Sequence, residues 1–80
     1  MAAVEVRFYA SLRKYHPDKG SSEALSIELG DKTNLENLLD KLKIPKEEIA
    51  ILMVNGSRAE KSYLPEDGDR IGLFPLIGGG

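Results

Sequence analysis

The chain contains no cysteine. Disulfides, thiolate metal sites and cysteine nucleophiles are therefore all excluded. Histidine is nearly as scarce. His16 stands alone, and one imidazole cannot build a zinc site by itself. Its setting, His16-Pro17-Asp18-Lys19-Gly20, reads as a solvated loop, so a Ser/His/Asp set has no basis either. No apolar run approaches the ~20 residues needed to span a bilayer. No secretory signal is visible: Met1-Ala2-Ala3 passes directly into an alternating pattern, and a cytoplasmic protein is expected. A basic stripe is also missing. The net charge is −2, with both signs interspersed, which argues against a nucleic-acid phosphate backbone as partner.

What is present suits one small globular domain. The chain has 80 residues, 41% hydrophobic and 30% charged, a balance typical of a soluble fold rather than a disordered chain. Val4, Val6 and Phe8 alternate with Glu5, Arg7 and Tyr9, the period of a half-buried strand. Ala10 to Tyr15 breaks that alternation and predicts one helical turn. Residues 17–22 form a loop by composition. Leu25, Ile27 and Leu29 then alternate again, predicting a strand antiparallel to the first.

The period next changes. Thr33-Asn34-Leu35-Glu36 has the spacing of a capping box between Thr33 and Glu36. Leu35, Leu38, Leu39 and Leu42 give one apolar stripe on a helix, read as core. Pro45 is expected to stop it, because the residue before a proline resists the α region. Ala50 to Val54 is a short apolar run with both faces apolar, predicting an interior strand, and Met53 in it is read as packing. Asn55-Gly56 signals a tight turn. Lys61 to Leu64 is expected as a short edge strand. Pro65 to Asp69 is a turn with glycine in the left-handed position. The last strand runs from Arg70 to about Pro75, with Gly72 and Phe74 on the face opposite Ile71 and Leu73.

This order predicts an α+β domain, one helix packed on a four- or five-stranded mixed sheet. The helix covers one sheet face. The other meets water or a partner, and Arg7, Tyr9 and Phe74 are expected there. No catalytic constellation is evident. Asp67 and Asp69 lack the further ligands of a calcium loop and read as a solvated turn. Glu47-Glu48 reads as a short helical start. The remaining chemistry lies at Gly78-Gly79-Gly80. Glycine has no Cβ, so such a tail can be threaded into a narrow channel. Leu76 to Gly80 reaches roughly 13–14 Å when extended. A carboxylate is a poor acyl donor until an ATP-using partner adenylates it, after which sulfur or an amine can attack. Chain ends also commonly fray, so the glycines alone are equally compatible with an inert end.

Asp67-Gly68-Asp69-Arg70-Ile71, together with Phe74-Pro75-Leu76-Ile77-Gly78-Gly79-Gly80, resembles the C-terminus of the MoaD/ThiS sulfur-carrier family. Val6 to Arg13 resembles the start of molybdopterin synthase small subunits, and Val54-Asn55-Gly56 matches the family's turn after the strand that succeeds the helix. The resemblance implies the ubiquitin-like β-grasp fold over residues 1–75, with 76–80 as a flexible tail. It implies that Gly80 is adenylated by an E1-like enzyme and thiocarboxylated. The chain would bind no cofactor itself, and ATP would be used by the activating enzyme. The sulfur would pass, in the large subunit of molybdopterin synthase, to a pyranopterin precursor. Gly79, Gly78, Phe74, Pro75, Leu76 and Tyr9 would contact partners.

The chain departs from the family at Leu76, where a second proline is common, and at Gly78, where a small non-glycine residue is usual. The segment Lys43 to Ile49 is shorter than in many molybdopterin subunits. Arg58 stands where some relatives have an apolar contact residue. These departures bear on the pathway. A carrier for thiamine thiazole synthesis (with a thiazole synthase as partner) or for tRNA thiolation is one alternative. A ubiquitin-like modifier joined to lysines through Gly80 is another, and a β-grasp binding module with an inert tail is a third.

Overall fold

The computed structural model of the chain describes residues 2–18 and 23–75. The first alternating segment forms strand β1, Ala2–Phe8, in which buried and exposed positions strictly alternate. Strand β2, Leu25–Leu29, pairs antiparallel to it, with Val4 opposite Ile27. Between them the expected helical turn is a 3-10 helix, Ala10–Tyr15, that buries Leu12. His16 comes next, and its placement corrects the expectation of a solvated loop. It is 7% exposed. Its ring packs edge-on against Phe8 at 5.3 Å. The Asp18 N–H donates to Nδ1 at 2.9 Å, and Nε2 lies 3.1 Å from the Glu23 carbonyl. The ring ties Asp18 and Glu23 to Phe8 at the end of β1. Its apolar neighbour Phe8 is three-dimensional information that loop composition does not carry.

Helix α1, Leu35–Lys41, buries Leu35, Leu38 and Leu39 completely, and Leu42 packs half-buried beside them. The leucine stripe is core, as its spacing predicts. The cap is displaced by one residue from the expected Thr33–Glu36 pair. Asn34 is the N-cap, and its side chain accepts from the Asn37 N–H at 2.8 Å. The Asn37 side chain accepts from the Asn34 N–H at 3.1 Å. Glu36 instead reaches Lys46 at 3.1 Å. The helix also ends earlier than Pro45 requires. Lys43 adopts a left-handed conformation, φ 61°, and the Ile44 N–H closes back on the Leu39 carbonyl at 2.9 Å. This is a Schellman termination, stabilised by burial of Ile44.

A 3-10 turn at Lys46–Glu48 supplies the short helical start read at Glu47-Glu48. Strand β3, Ile49–Val54, a turn at Asn55-Gly56 and strand β4, Ser57–Ala59, form a hairpin. Asn55 and Gly56 both have positive φ, 52° and 86°, the requirement of a two-residue type I′ turn. The edge strand is thus Ser57–Ala59, not Lys61 to Leu64. That later segment serves the helix: the carbonyls of Tyr63 and Lys61 accept from the Leu35 and Glu36 N–H groups, each at 3.0 Å. Otherwise unpaired donors of the first helical turn are satisfied in this way.

Strand β5, Arg70–Pro75, completes a five-stranded sheet of order β2-β1-β5-β3-β4. It lies in the middle, parallel to β1 and antiparallel to β3. Val4, Val6, Phe8, Leu52, Val54, Ile71 and Leu73 face the helix and form the core with its leucines. The turn before β5 is tied down by Asp69. Its carboxylate is 6% exposed and accepts from Asn55 Nδ2 at 2.9 Å, the Tyr63 hydroxyl at 2.7 Å and the Glu66 N–H at 2.8 Å. Asp67 is also engaged, accepting from the Ala3 N–H at 2.8 Å. Asp67 stays exposed, as a solvated turn predicts, whereas Asp69 is buried and corrects that expectation. Burial alone would push the Asp69 carboxyl up, but the donated hydrogen bonds outweigh it and hold the group below its ordinary value. The bond to Asp69, with burial and the nearby charge, pushes the Tyr63 phenol up to about 12.

Candidate functional site

Among the described residues, no element covers the face of the sheet opposite the helix. Strand pairing arranges it in rows. Glu5 lies opposite Arg70, Arg7 opposite Gly72, Gly72 opposite Met53 and Met53 opposite Arg58. In the next row Phe74 lies opposite Ile51, with Tyr9 beyond the end of β1. The run Ala50 to Val54 is an interior strand, as its composition predicts. Its second apolar face does not enter a core, however. Ile51 is 36% exposed and Met53 half-buried, both on the open side. Met53 packs, but into a surface.

Tyr9 and Phe74 meet on this face. Their rings stack with centroids 4.3 Å apart and planes 6° from parallel. Tyr9 holds the extended backbone of β1, φ −110° and ψ 146°, and its N–H donates to the Leu73 carbonyl at 3.1 Å. Ala10 then turns the chain away through a left-handed conformation, φ 51°. Phe74 projects from β5 because Leu73 points to the core. The two rings lie beside Gly72. A Cβ at Gly72 would come 3.2 Å from Phe74 Cε1 and 3.3 Å from Tyr9 Cε2. Gly72 lies in the lining of a depression of about 540 Å³, bounded by Arg7, Tyr9, Met53, Arg70 and Phe74. An exposed apolar patch rimmed by polar groups is the usual form of a protein interaction site.

Of the residues singled out in the sequence, Tyr9 and Phe74 are thus brought into contact, and Pro75 ends β5 opposite Ile49. Leu76, Gly78, Gly79 and Gly80, and with them the tail boundary at 76, lie outside the described residues. Gly72, Ile51 and Met53 were missed as site residues. A glycine inside a strand marks a close approach, and that signal was available. The exposure of Ile51 was not legible, because an apolar face reads the same against a core and against water. Among the described residues no group of three His, Asp or Glu side chains could hold a metal ion. No helix among them is long and apolar enough to cross a membrane.

A family model described as Mut7-C ubiquitin matches residues 1–78. The chain belongs to the Mut7-C ubiquitin family. No curated protein matches it. As a member of this family it shares the ubiquitin-like β-grasp fold with solved structures of low sequence identity. A Pyrococcus furiosus protein provisionally assigned as molybdopterin converting factor subunit 1 superposes with a TM-score of 0.72 at 22% identity, covering 96% of this chain and 100% of that one. Small archaeal modifier protein 1 of H. volcanii gives 0.73 at 17%, with 96% and 100% covered. The ubiquitin of Caldiarchaeum subterraneum gives 0.61 at 15%, with 99% and 98% covered. The expectation of an α+β ubiquitin-like β-grasp fold is borne out, and the resemblance to the MoaD/ThiS family agrees with the P. furiosus neighbour at the level of fold.

Proposed function

We propose that the chain is a sulfur carrier that works through Gly80, delivering sulfur for molybdopterin formation as the small subunit of a synthase. A carboxylate oxygen of Gly80 attacks the α-phosphate of ATP, pyrophosphate leaves, and an acyl-adenylate forms. Hydrosulfide released by a sulfur donor then attacks the carbonyl carbon, AMP departs with that oxygen, and loss of the remaining proton leaves a thiocarboxylate. The chain has no side chains for these steps, so an E1-like enzyme performs them and a large synthase subunit uses the product. The observation that carries the reading is the Tyr9–Phe74 stack on the open face beside Gly72, with Tyr9 exposed and Phe74 half-buried. It is a docking surface on the strand whose sequence continues into Gly79-Gly80. Activation needs a partner that grips the domain while the tail enters its active site.

The test is to incubate the protein with an E1-like enzyme from the same source, ATP and a sulfur donor, and to measure intact mass. The wild type is expected to gain the mass difference between sulfur and oxygen, and a Gly80 deletion to gain nothing. An unmodified wild type, beside a known carrier that the enzyme does modify, refutes the reading. Phe74→Ala is expected to weaken enzyme binding about tenfold or more, as removal of an interface aromatic commonly does, with a smaller effect on Tm. A large fall in Tm with unchanged binding would place Phe74 in the core instead. A second reading, a protein modifier joined to lysines, draws on the neighbours named modifier protein and ubiquitin. It would appear as Gly80-linked adducts on other proteins.

A further inference from the structure

The chain has four arginines and seven lysines, and apart from Arg13, beside Lys14 on the 3-10 helix, they are segregated. Three arginines, Arg7, Arg58 and Arg70, occupy exposed positions of the open face. No lysine occurs in any of the five strands. Lys14, Lys41, Lys43, Lys46 and Lys61 lie on the helical turns and the loop around α1. Arg58 and Arg70 make no side-chain hydrogen bond or ion pair with another described residue. Arg70 faces Glu5 in the strand register without closing on it. The acidic residues are distributed in the complementary way. The open face holds Glu5 and Glu28, while Glu36, Asp40, Glu47, Glu48 and Glu60 crowd the helical side. Among the described residues of its strands, a chain of net charge −2 therefore presents three arginines against two glutamates on the open face.

Arginine differs from lysine in a way that suits this place. Its planar fork binds carboxylates through two parallel hydrogen bonds, and it is more weakly hydrated, so it enters interfaces at lower cost. Arginine and tyrosine are also the residues that dominate binding energy at interfaces. From this placement we infer that the open face recognises an acidic protein surface, and that Arg58 and Arg70 select it by pairing with the partner's carboxylates. One such side chain seats in the depression beside Gly72, within reach of Arg70. The inference rests on the reading of this face as the docking surface and adds the partner's chemistry. A polyphosphate backbone fits less well, because Glu5 and Glu28 interrupt the positive charge and the two rings are stacked on each other rather than open to bases.

Two measurements test it. In the first, the 15N-labelled full chain is titrated with a capped peptide of alternating Glu and Leu, and with its Gln-for-Glu counterpart. Amide shifts are expected at Arg7, Arg58, Arg70 and Gly72 with the Glu peptide only, and they should collapse at high salt, as screened charge pairs do. Arg58→Glu and Arg70→Glu are each expected to weaken the interaction about tenfold, whereas Lys41→Glu, the same charge change on the helix, leaves it intact. In the second, the same variants are compared for KM with the E1-like enzyme, where the two arginine reversals should raise it by a similar factor. Equal shifts with the Gln peptide, or arginine variants indistinguishable from Lys41→Glu, overturn the inference. So do shifts that need only more of the chain itself, which indicate a second copy, or that need duplex DNA instead. Peptide binding without any sulfur transfer would sink the carrier reading and leave the acidic-partner inference standing.

Discussion

Among single residues, Gly72 does the most with the least. Its absent side chain lets two rings lie flat beside the strand, and it lines the depression next to them. Gly72→Ala places a methyl 3.2 Å from Phe74 and 3.3 Å from Tyr9, closer than rings normally sit. Both rings are on the surface and can move, and alanine costs less backbone entropy than glycine. Stability is therefore expected to change by no more than ~1 kcal/mol. The ring stack should open, which near-UV circular dichroism and the Tyr9 ring proton shifts would register, and partner affinity should fall. An unchanged ring environment would show that the stack does not depend on the missing Cβ. Tyr9 and Phe74 were legible as aromatics on an open face. Their contact was not, because it depends on β1 and β5 being neighbours, although nearly the whole chain separates them in sequence.

Among the elements, helix α1 shows which parts of a local signal are robust. The leucine spacing fixes the buried face, since only a 3.6-residue period brings Leu35, Leu38, Leu39 and Leu42 to one side. The ends are decided by closer competition. Thr33 and Asn34 are adjacent capping residues, of which asparagine is the stronger, and Asn37 supplies the reciprocal acceptor one position later than Glu36 would. At the other end burial of Ile44 outweighs the strain of a left-handed lysine. Lys43→Gly removes that strain, worth roughly 1–2 kcal/mol for a residue with a Cβ, and adds flexibility to the unfolded chain. A net gain of about 0.5–1 kcal/mol in chemical denaturation is expected. A loss would mean that Lys43 makes a compensating contact. The edge strand was misplaced for a related reason: Ser57 to Ala59 has little strand character and is a strand because the Asn55-Gly56 turn folds it back onto β3.

Across the whole molecule, Asp69 joins pieces that are far apart in sequence. It holds the hairpin turn through Asn55, the loop to the helix through Tyr63 and the start of the central strand at once. Its carboxyl is held below its ordinary value in the fold. It therefore contributes stability that is fully present above an ordinary carboxylate pKa, about 4, and that is lost as pH falls through the lower folded value. The wild type is expected to lose Tm steadily below about pH 4. Asp69→Asn, which does not ionise, should lack that part of the slope while being less stable at neutral pH. Asp69→Ala strands three donors and should cost about 3 kcal/mol. An unchanged acid slope in Asp69→Asn would remove Asp69 from the acid response.

The order of elements, the leucine core and the two glycine turns were already settled in the linear chain, because period, capping chemistry and positive φ act over a few residues. The same chain marked Gly79-Gly80 as the candidate reactive end, through the resemblance carried by Phe74-Pro75 and the glycines beyond it. The entry of β5 between β1 and β3 was settled only on folding. That insertion stacks Phe74 on Tyr9 and leaves the apolar side of β3 facing outward. It also gathers Arg7, Arg58 and Arg70 on one surface. These are consequences of strand pairing across most of the chain, and pairing register is a property of the closed sheet rather than of any one strand.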